Sequence, residues 1–206
     1  MRHAVWIAER PLILASTSVT RLHLLSNAGV PLETEASGVD ERAVEAAAAQ
    51  DRLDPSSLAG RLAAEKALAV SRRHPGRLVL GADQVLDFEG EPLHKPMTRE
   101  VAREHLMRLS GRTHSLRSAV AIARGGAVVD GFVESAHLTF RDLTPGSIDR
   151  YLDLASPAVL QNAGVYQVEA IGIHLFSKIV GDHSTILGLP LLPCLEALRR
   201  LGCLSL

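Results

Sequence analysis

Apolar residues recur along this chain at two periods, and the switches between them mark out its elements. Pro11-Leu12-Ile13-Leu14-Ala15 is an apolar run of strand length, and Ser16, Thr17 and Ser18 behind it can cap a helix. Leu22, Leu25 and Ala28 then fall at helical spacing, with Gly29 placed to close the segment. The pattern predicts strand, tight turn, helix. A second helix is expected over 57–73, where Leu58, Leu62, Lys66 and Val70 share one face and a lysine interrupts an apolar stripe. Residues 77–83 read as a buried strand that ends at Asp83. Leu93-His94-Lys95-Pro96 is a loop before a helix carrying Val101, Ala102, His105, Leu106 and Leu109, which Ser110-Gly111 ends. Leu116, Ser118, Val120 and Ile122 alternate as in a half-buried strand, and Gly125-Gly126 turns it into a second strand reaching Phe140. Thr144-Pro145 opens a helix through Ile148, Tyr151 and Leu152. Strand-like stretches over 164–169 and 171–179 precede a last helix, opened by Pro190 and ended by Gly202. Strand–helix units mixed with a hairpin point to an α/β fold on a mixed sheet.

With 206 residues, 47% of them hydrophobic, the chain can bury one sizeable core, and one domain over 1–206 is expected. A formal net charge of −1 argues against the broad basic surface that holds long DNA or RNA, so a nucleic-acid-like ligand should be small. The first ten residues hold no apolar run of signal-peptide length, and no segment approaches the ~20 apolar residues of a membrane span. A soluble, cytoplasmic protein is the expectation. Cys194 and Cys203 are too few for a disulfide framework and read as reduced packing residues.

The familiar phosphate-loop, dinucleotide, zinc-protease, serine-hydrolase and paired-cysteine motifs are absent. Asp182-His183-Ser184 are neighbours in sequence, which is no triad, since triad members must meet in space. What remains is a scattered charged set: Arg21 in the first helical turn, Asp40-Glu41 after the Gly38 turn, Lys66, Asp83, and Lys95 pinned before Pro96. Each has an ordinary explanation alone. A lysine on an apolar face snorkels to water, an aspartate at a strand end makes a turn, and an acidic pair is usually solvated. Together, cations and carboxylates suit a polyphosphate and its metal, because cleaving a phosphoanhydride mainly requires neutralising charge and aligning a water. The Ser16–Ser18 turn before a helix adds an anion site.

These residues sit in segments that resemble the Maf family of nucleoside triphosphate pyrophosphatases. LASTSVTRLHLLSNAG (14–29), VDE (39–41), LAAEKA (62–67), GADQV (81–85), HKP (94–96), LSGRTH (109–114), NAGVYQVEAIG (162–172) and GLPLL (188–192) follow in the family's order over nearly the whole chain. The resemblance implies an elongated mixed sheet flanked by helices with a cleft between two lobes, a homodimer, and a divalent cation, Mg²⁺ or Mn²⁺. It implies Asp83 as the proton acceptor that activates water or a metal-held carboxylate doing equivalent work, Glu41 beside it at the metal, and Ser16, Arg21, Lys66 and Lys95 on the triphosphate.

The chain departs from the family where Ser-Pro-Arg-Arg becomes Ser18-Val19-Thr20-Arg21. Loss of a guanidinium removes a bidentate contact, which marks Thr20 as a specificity position. Gln84 and Glu169, with the run Gly172 to Phe176, are similar to the branch that cleaves 7-methyl-GTP. A carboxylate only accepts hydrogen bonds and so matches the N1–H and N2–H₂ donors of guanine, and a methylated N7 adds positive charge that Glu169 would favour. The alternatives are a dTTP/UTP pyrophosphatase of the same family, an enzyme taking ITP or XTP, and a non-catalytic nucleotide-binding regulator of cell division. Intact Asp83, Lys66 and Lys95 speak for turnover.

Overall fold

The computed structural model describes residues 5–206. The reading of the first ten residues as lacking a leader therefore falls partly on residues 1–4, outside the described residues. The elements are β1 (Leu12–Leu14), α1 (Val19–Asn27), β2 (Leu32–Thr34), α2 (Glu41–Gln50), α3 (Pro55–Arg73), β3 (Val79–Phe88) and β4 (Glu91–Leu93). They continue with α4 (Arg99–Leu109), β5 (Thr113–Arg124), β6 (Ala127–Phe140), α5 (Pro145–Leu154), β7 (Phe176–Val180), α6 (His183–Ile186) and α7 (Leu191–Arg200). Seven strands form one mixed sheet in the order β2-β1-β3-β5-β6-β7, with β4 paired to β3. Strand β1 pairs in parallel with both β2 and β3, while the β3–β4 and β6–β7 pairs are antiparallel.

The chain forms two compact units. One comprises residues up to Gln84, Ser118–Glu134 and Asp182–Leu206; the other comprises Val85–Arg117 and Ser135–Gly181. The first is built on Leu12, Leu14, Leu25, Leu80, Ile122, Leu189, Cys194 and Leu198, all buried. Both cysteines are free and buried there, and burial pushes the Cys194 thiol up to about 12, as expected of packing residues. The second unit centres on four rings, His114, Phe140, Tyr166 and Phe176, whose centroids lie 4.7–6.3 Å apart. Among the described residues no helix is long and apolar enough to cross a membrane.

Capping residues place the helices where the sequence suggests. Ser18, Asp54, Thr98 and Thr144 each accept from a backbone N–H in the first turn of α1, α3, α4 and α5. Gly29, Gly111 and Gly202 follow helix ends at positive φ, the conformation glycine adopts at no steric cost.

Three expectations are corrected. Asp83 does not end its strand: β3 continues through buried Val85, Leu86 and Phe88, and the carboxylate is tolerated because an ammonium meets it. From Ser118 to Ala123, β5 is buried on both faces, since Ala119, Ala121 and Ala123 are covered as well as Val120 and Ile122. The stretch 164–169 is not a strand, and 171–175 is a 3-10 turn, so only Phe176–Val180 is extended. There Val165 has φ +60°, its carbonyl accepts the Tyr151 hydroxyl at 2.8 Å, and a Cβ on Gly172 would come within 2.9 Å of the Gln167 amide. The chain folds back on itself.

Candidate active site

Strand β1 ends beside β3, so Ser16, just past β1, and Asp83, on β3 beyond the residues paired with β1, come to the same edge of the first unit, at the carboxyl end of β1, where ligands of open α/β sheets bind. Ser16 follows β1, and its Oγ accepts the Ser18 amide at 3.2 Å. Ser18 then caps α1, so the turn presents hydroxyls beside a helix N-terminus whose first amides have no intrahelical acceptor. Val19 takes the first helical position and is exposed; Thr20, next to it, is half-buried.

Arg21 turns inward from that first turn. Its Nε donates to the Gly188 carbonyl at 2.8 Å, and its Nη1 to the Ala82 carbonyl at 2.9 Å and to Ser16 Oγ at 3.4 Å. Burial lowers its pKa, while the carboxylates of Asp83 and Glu41 act in the opposite direction and favour the cation. Gly188, at φ +91°, makes this possible: a side chain there would be strained and would press on the guanidinium.

Lys66 sits on α3 facing β3, and its Nζ lies 2.5 Å from Asp83 Oδ1 and 2.8 Å from Glu41 Oε1. One ammonium thus bridges two carboxylates. The Lys66 and Asp83 side chains are 9% and 11% exposed, whereas Glu41 is 49% exposed, so the bridge is a buried pair with one solvent-facing arm. Asp40 caps α2 through its own side chain, which places Glu41 as the first helical residue. The acidic pair therefore splits its work: Asp40 starts the helix and Glu41 meets Lys66. No snorkelling occurs, because Lys66 finds its counter-charge inside.

Gln84 follows Asp83 on β3. Its Nε2 lies 2.8 Å from Ser118 Oγ and 3.0 and 3.1 Å from the carbonyls of Thr185 and Ile186, and Ser118 Oγ donates to the Thr185 carbonyl at 2.8 Å. Asp182 caps α6 through Ser184 and Thr185, and its carboxylate also takes the Ser184 hydroxyl, so these residues form a cap and no triad. Ser118, Thr185 and Gly188 are supports that sequence reading missed. Gly188 belongs to a quoted motif, but its carbonyl's service to Arg21 spans 167 positions.

Lys95 and Glu169 belong to the second unit. Lys95 lies in the exposed loop between β4 and α4, with Pro96 buried behind it; Glu169 is exposed in the turn before the 3-10 segment. Neither makes an ion pair among the described residues. A cavity of about 400 Å³ in the first unit, lined by Trp6, Arg10, Arg77 and Arg124 among others, lies near the opposite ends of β1 and β3 and takes no part in this site.

Among the described residues no three His, Cys, Asp or Glu side chains gather as metal ligands. Asp83 and Glu41 supply two hard oxygen donors, and a cation already occupies the space they share. That suits Mg²⁺ or Mn²⁺, which take one or two carboxylates and complete their shell with water and substrate phosphate.

A family model described as Maf-like protein matches residues 11–201. The chain belongs to the Maf family. Among its Maf relatives, a Nitrobacter winogradskyi protein named nucleoside triphosphate pyrophosphatase is 50% identical over 203 residues, 98% of this chain and 100% of that protein. Proteins named 7-methyl-GTP pyrophosphatase are 47% identical in Brucella abortus and 49% identical in Mesorhizobium japonicum, each over 194 residues, 94% of this chain and 98% of theirs.

Proposed function

We propose that the chain is a metal-dependent nucleoside triphosphate pyrophosphatase, hydrolysing the α–β phosphoanhydride to nucleoside monophosphate and pyrophosphate, with 7-methyl-GTP as the favoured substrate. The observation that carries it is the Asp83–Lys66–Glu41 bridge, buried at Asp83 and Lys66, beside the Ser16–Ser18 turn and Arg21. Relatives named for this reaction match over almost the full chain.

In this reading Asp83 accepts a proton from the attacking water, and Asp83 with Glu41 would hold the divalent cation. When bound, that ion would neutralise phosphate charge and lower the pKa of a coordinated water. Ser16, the α1 N-terminus and Arg21 Nη2, which makes no hydrogen bond among the described residues, receive phosphate oxygens; Lys66, already among the carboxylates, and Lys95 add positive charge. Thr20, Gln84 and Glu169 set base preference, Glu169 because its exposed carboxylate accepts only and so fits guanine donors and the charge of a methylated N7. The family resemblance carries with it a homodimer.

The test is pyrophosphate release with Mg²⁺ or Mn²⁺ across 7-methyl-GTP, GTP, dTTP, UTP, CTP and ITP, repeated with Glu169→Gln. Preference for 7-methyl-GTP that weakens in the variant supports the reading. Preference for dTTP or UTP transfers the chain to the other branch. Nucleotide binding without turnover by folded protein selects the regulatory alternative.

A further inference from the structure

We infer that Lys66 is an internal competitor for the metal: its ammonium closes the carboxylate pair in the ligand-free protein, so the divalent cation binds well only together with a triphosphate that draws Lys66 away. This rests on the metal-dependent reading above and adds an order of binding to it.

The geometry leaves a bare cation little to gain. Asp83 Oδ1 and Glu41 Oε1 both face Nζ, at 2.5 and 2.8 Å, so the oxygens a metal would use are spent on two charge-assisted hydrogen bonds. Among the described residues no third carboxylate, histidine or cysteine joins them to form a separate ligand group. A metal arriving alone must break both bonds and leave an ammonium buried on α3 without a partner, which costs more than an exposed pair would. A polyphosphate changes the balance, because its oxygens accept the displaced ammonium and give the metal the ligands the protein lacks. Arg21 is different: it interacts with Asp83 and Glu41 only at a distance, and its short bonds go to Gly188, Ala82 and Ser16. Charge alone would let either cation oppose the metal; occupancy singles out Lys66.

The experiment is calorimetric titration of full-length protein with Mn²⁺ alone, in wild type, Lys66→Met and Arg21→Gln, and of wild type with Mn²⁺ complexed to α,β-methylene-GTP. Removal of two charge-assisted bonds from the competition should tighten Mn²⁺ binding to Lys66→Met by about tenfold or more, with a much smaller change for Arg21→Gln. Wild type should bind the Mn²⁺–nucleotide complex at least about tenfold more tightly than Mn²⁺ alone. Equal Mn²⁺ affinity in wild type and Lys66→Met, or equal tightening in both variants, overturns the inference and leaves the metal reading standing. No Mn²⁺ binding by any protein, with or without nucleotide, removes the metal reading itself. Because Lys66→Met leaves Asp83 buried without its partner, its fold is checked by circular dichroism. If it does not fold, the two wild-type titrations decide: tight binding of Mn²⁺ alone refutes the competition.

Discussion

Gly81 on β3 lies against the backbone of Ala67 on α3, so close that a Cβ at position 81 would fall 2.6 Å from the Ala67 amide nitrogen and nearer still to the carbonyl oxygen of Ala63. This contact sets the distance between helix and strand, and Lys66 and Asp83 meet across it. A methyl group cannot be absorbed by a flexible side chain, because what it strikes is backbone.

Gly81→Ala should therefore cost about 2–3 kcal/mol of stability by overpacking and push α3 away from β3. Chemical denaturation gives the first effect. The second appears as a loss of turnover larger than the loss of folded protein at the assay temperature. Wild-type stability and activity in Gly81→Ala would show that the contact does not position Lys66.

Gln84 donates to the carbonyls of Thr185 and Ile186, three and two residues before Gly188, whose carbonyl holds Arg21. Gln84→Glu replaces the donor with an oxygen facing two carbonyl oxygens, at a cost of about 2 kcal/mol in desolvation and lost hydrogen bonds. Its thermal midpoint should fall at pH 8 and recover in part as the new carboxyl protonates in acid. A pH-independent midpoint equal to that of wild type would remove this residue's strut function.

His114 is almost wholly buried, its Nε2 2.6 Å from the Tyr166 hydroxyl, and burial lowers its pKa to about 4, with Asp87 opposing that shift. The folded pKa lies below the ordinary value of about 6.5. The stabilisation is thus complete above pH 6.5 and is lost as the pH falls towards 4, since only the unfolded chain takes up the proton; the loss approaches about 3 kcal/mol. His114→Gln, which keeps an acceptor for Tyr166 but does not titrate, should flatten this part of the stability–pH curve. An unchanged curve would assign the acid sensitivity to carboxylates instead.

Local signals carried much of the fold into the sequence. Ser18 before Leu22 and Leu25, Thr144 before Pro145, and Gly125-Gly126 between two alternating runs each act within a few residues, and each element formed where they indicate. Helix α2 was not legible as a helix, because Asp40-Glu41 read as a solvated pair while the alanines behind it offer only a weak apolar stripe. The 164–175 stretch misled for the opposite reason: its apolar residues alternate, yet Gly172 and Val165 fold it back through contacts that spacing does not encode. At the site, Lys66 and Asp83 stood out as charges in apolar surroundings. Their pairing, and the long reach from Arg21 to Gly188, depend on how α3, β3 and α6 pack, which no short motif states.

In the proposed reaction Asp83 activates water for cleavage between the α and β phosphates. The most direct measurement is product analysis of 7-methyl-GTP turned over by wild type and by Asp83→Asn, with kcat and KM determined separately. Wild type should release nucleoside monophosphate and pyrophosphate in equal amounts, and Asp83→Asn should lower kcat by about 10²-fold or more with a much smaller change in KM. Release of orthophosphate and nucleoside diphosphate, or a kcat in Asp83→Asn equal to that of wild type, would contradict this reaction.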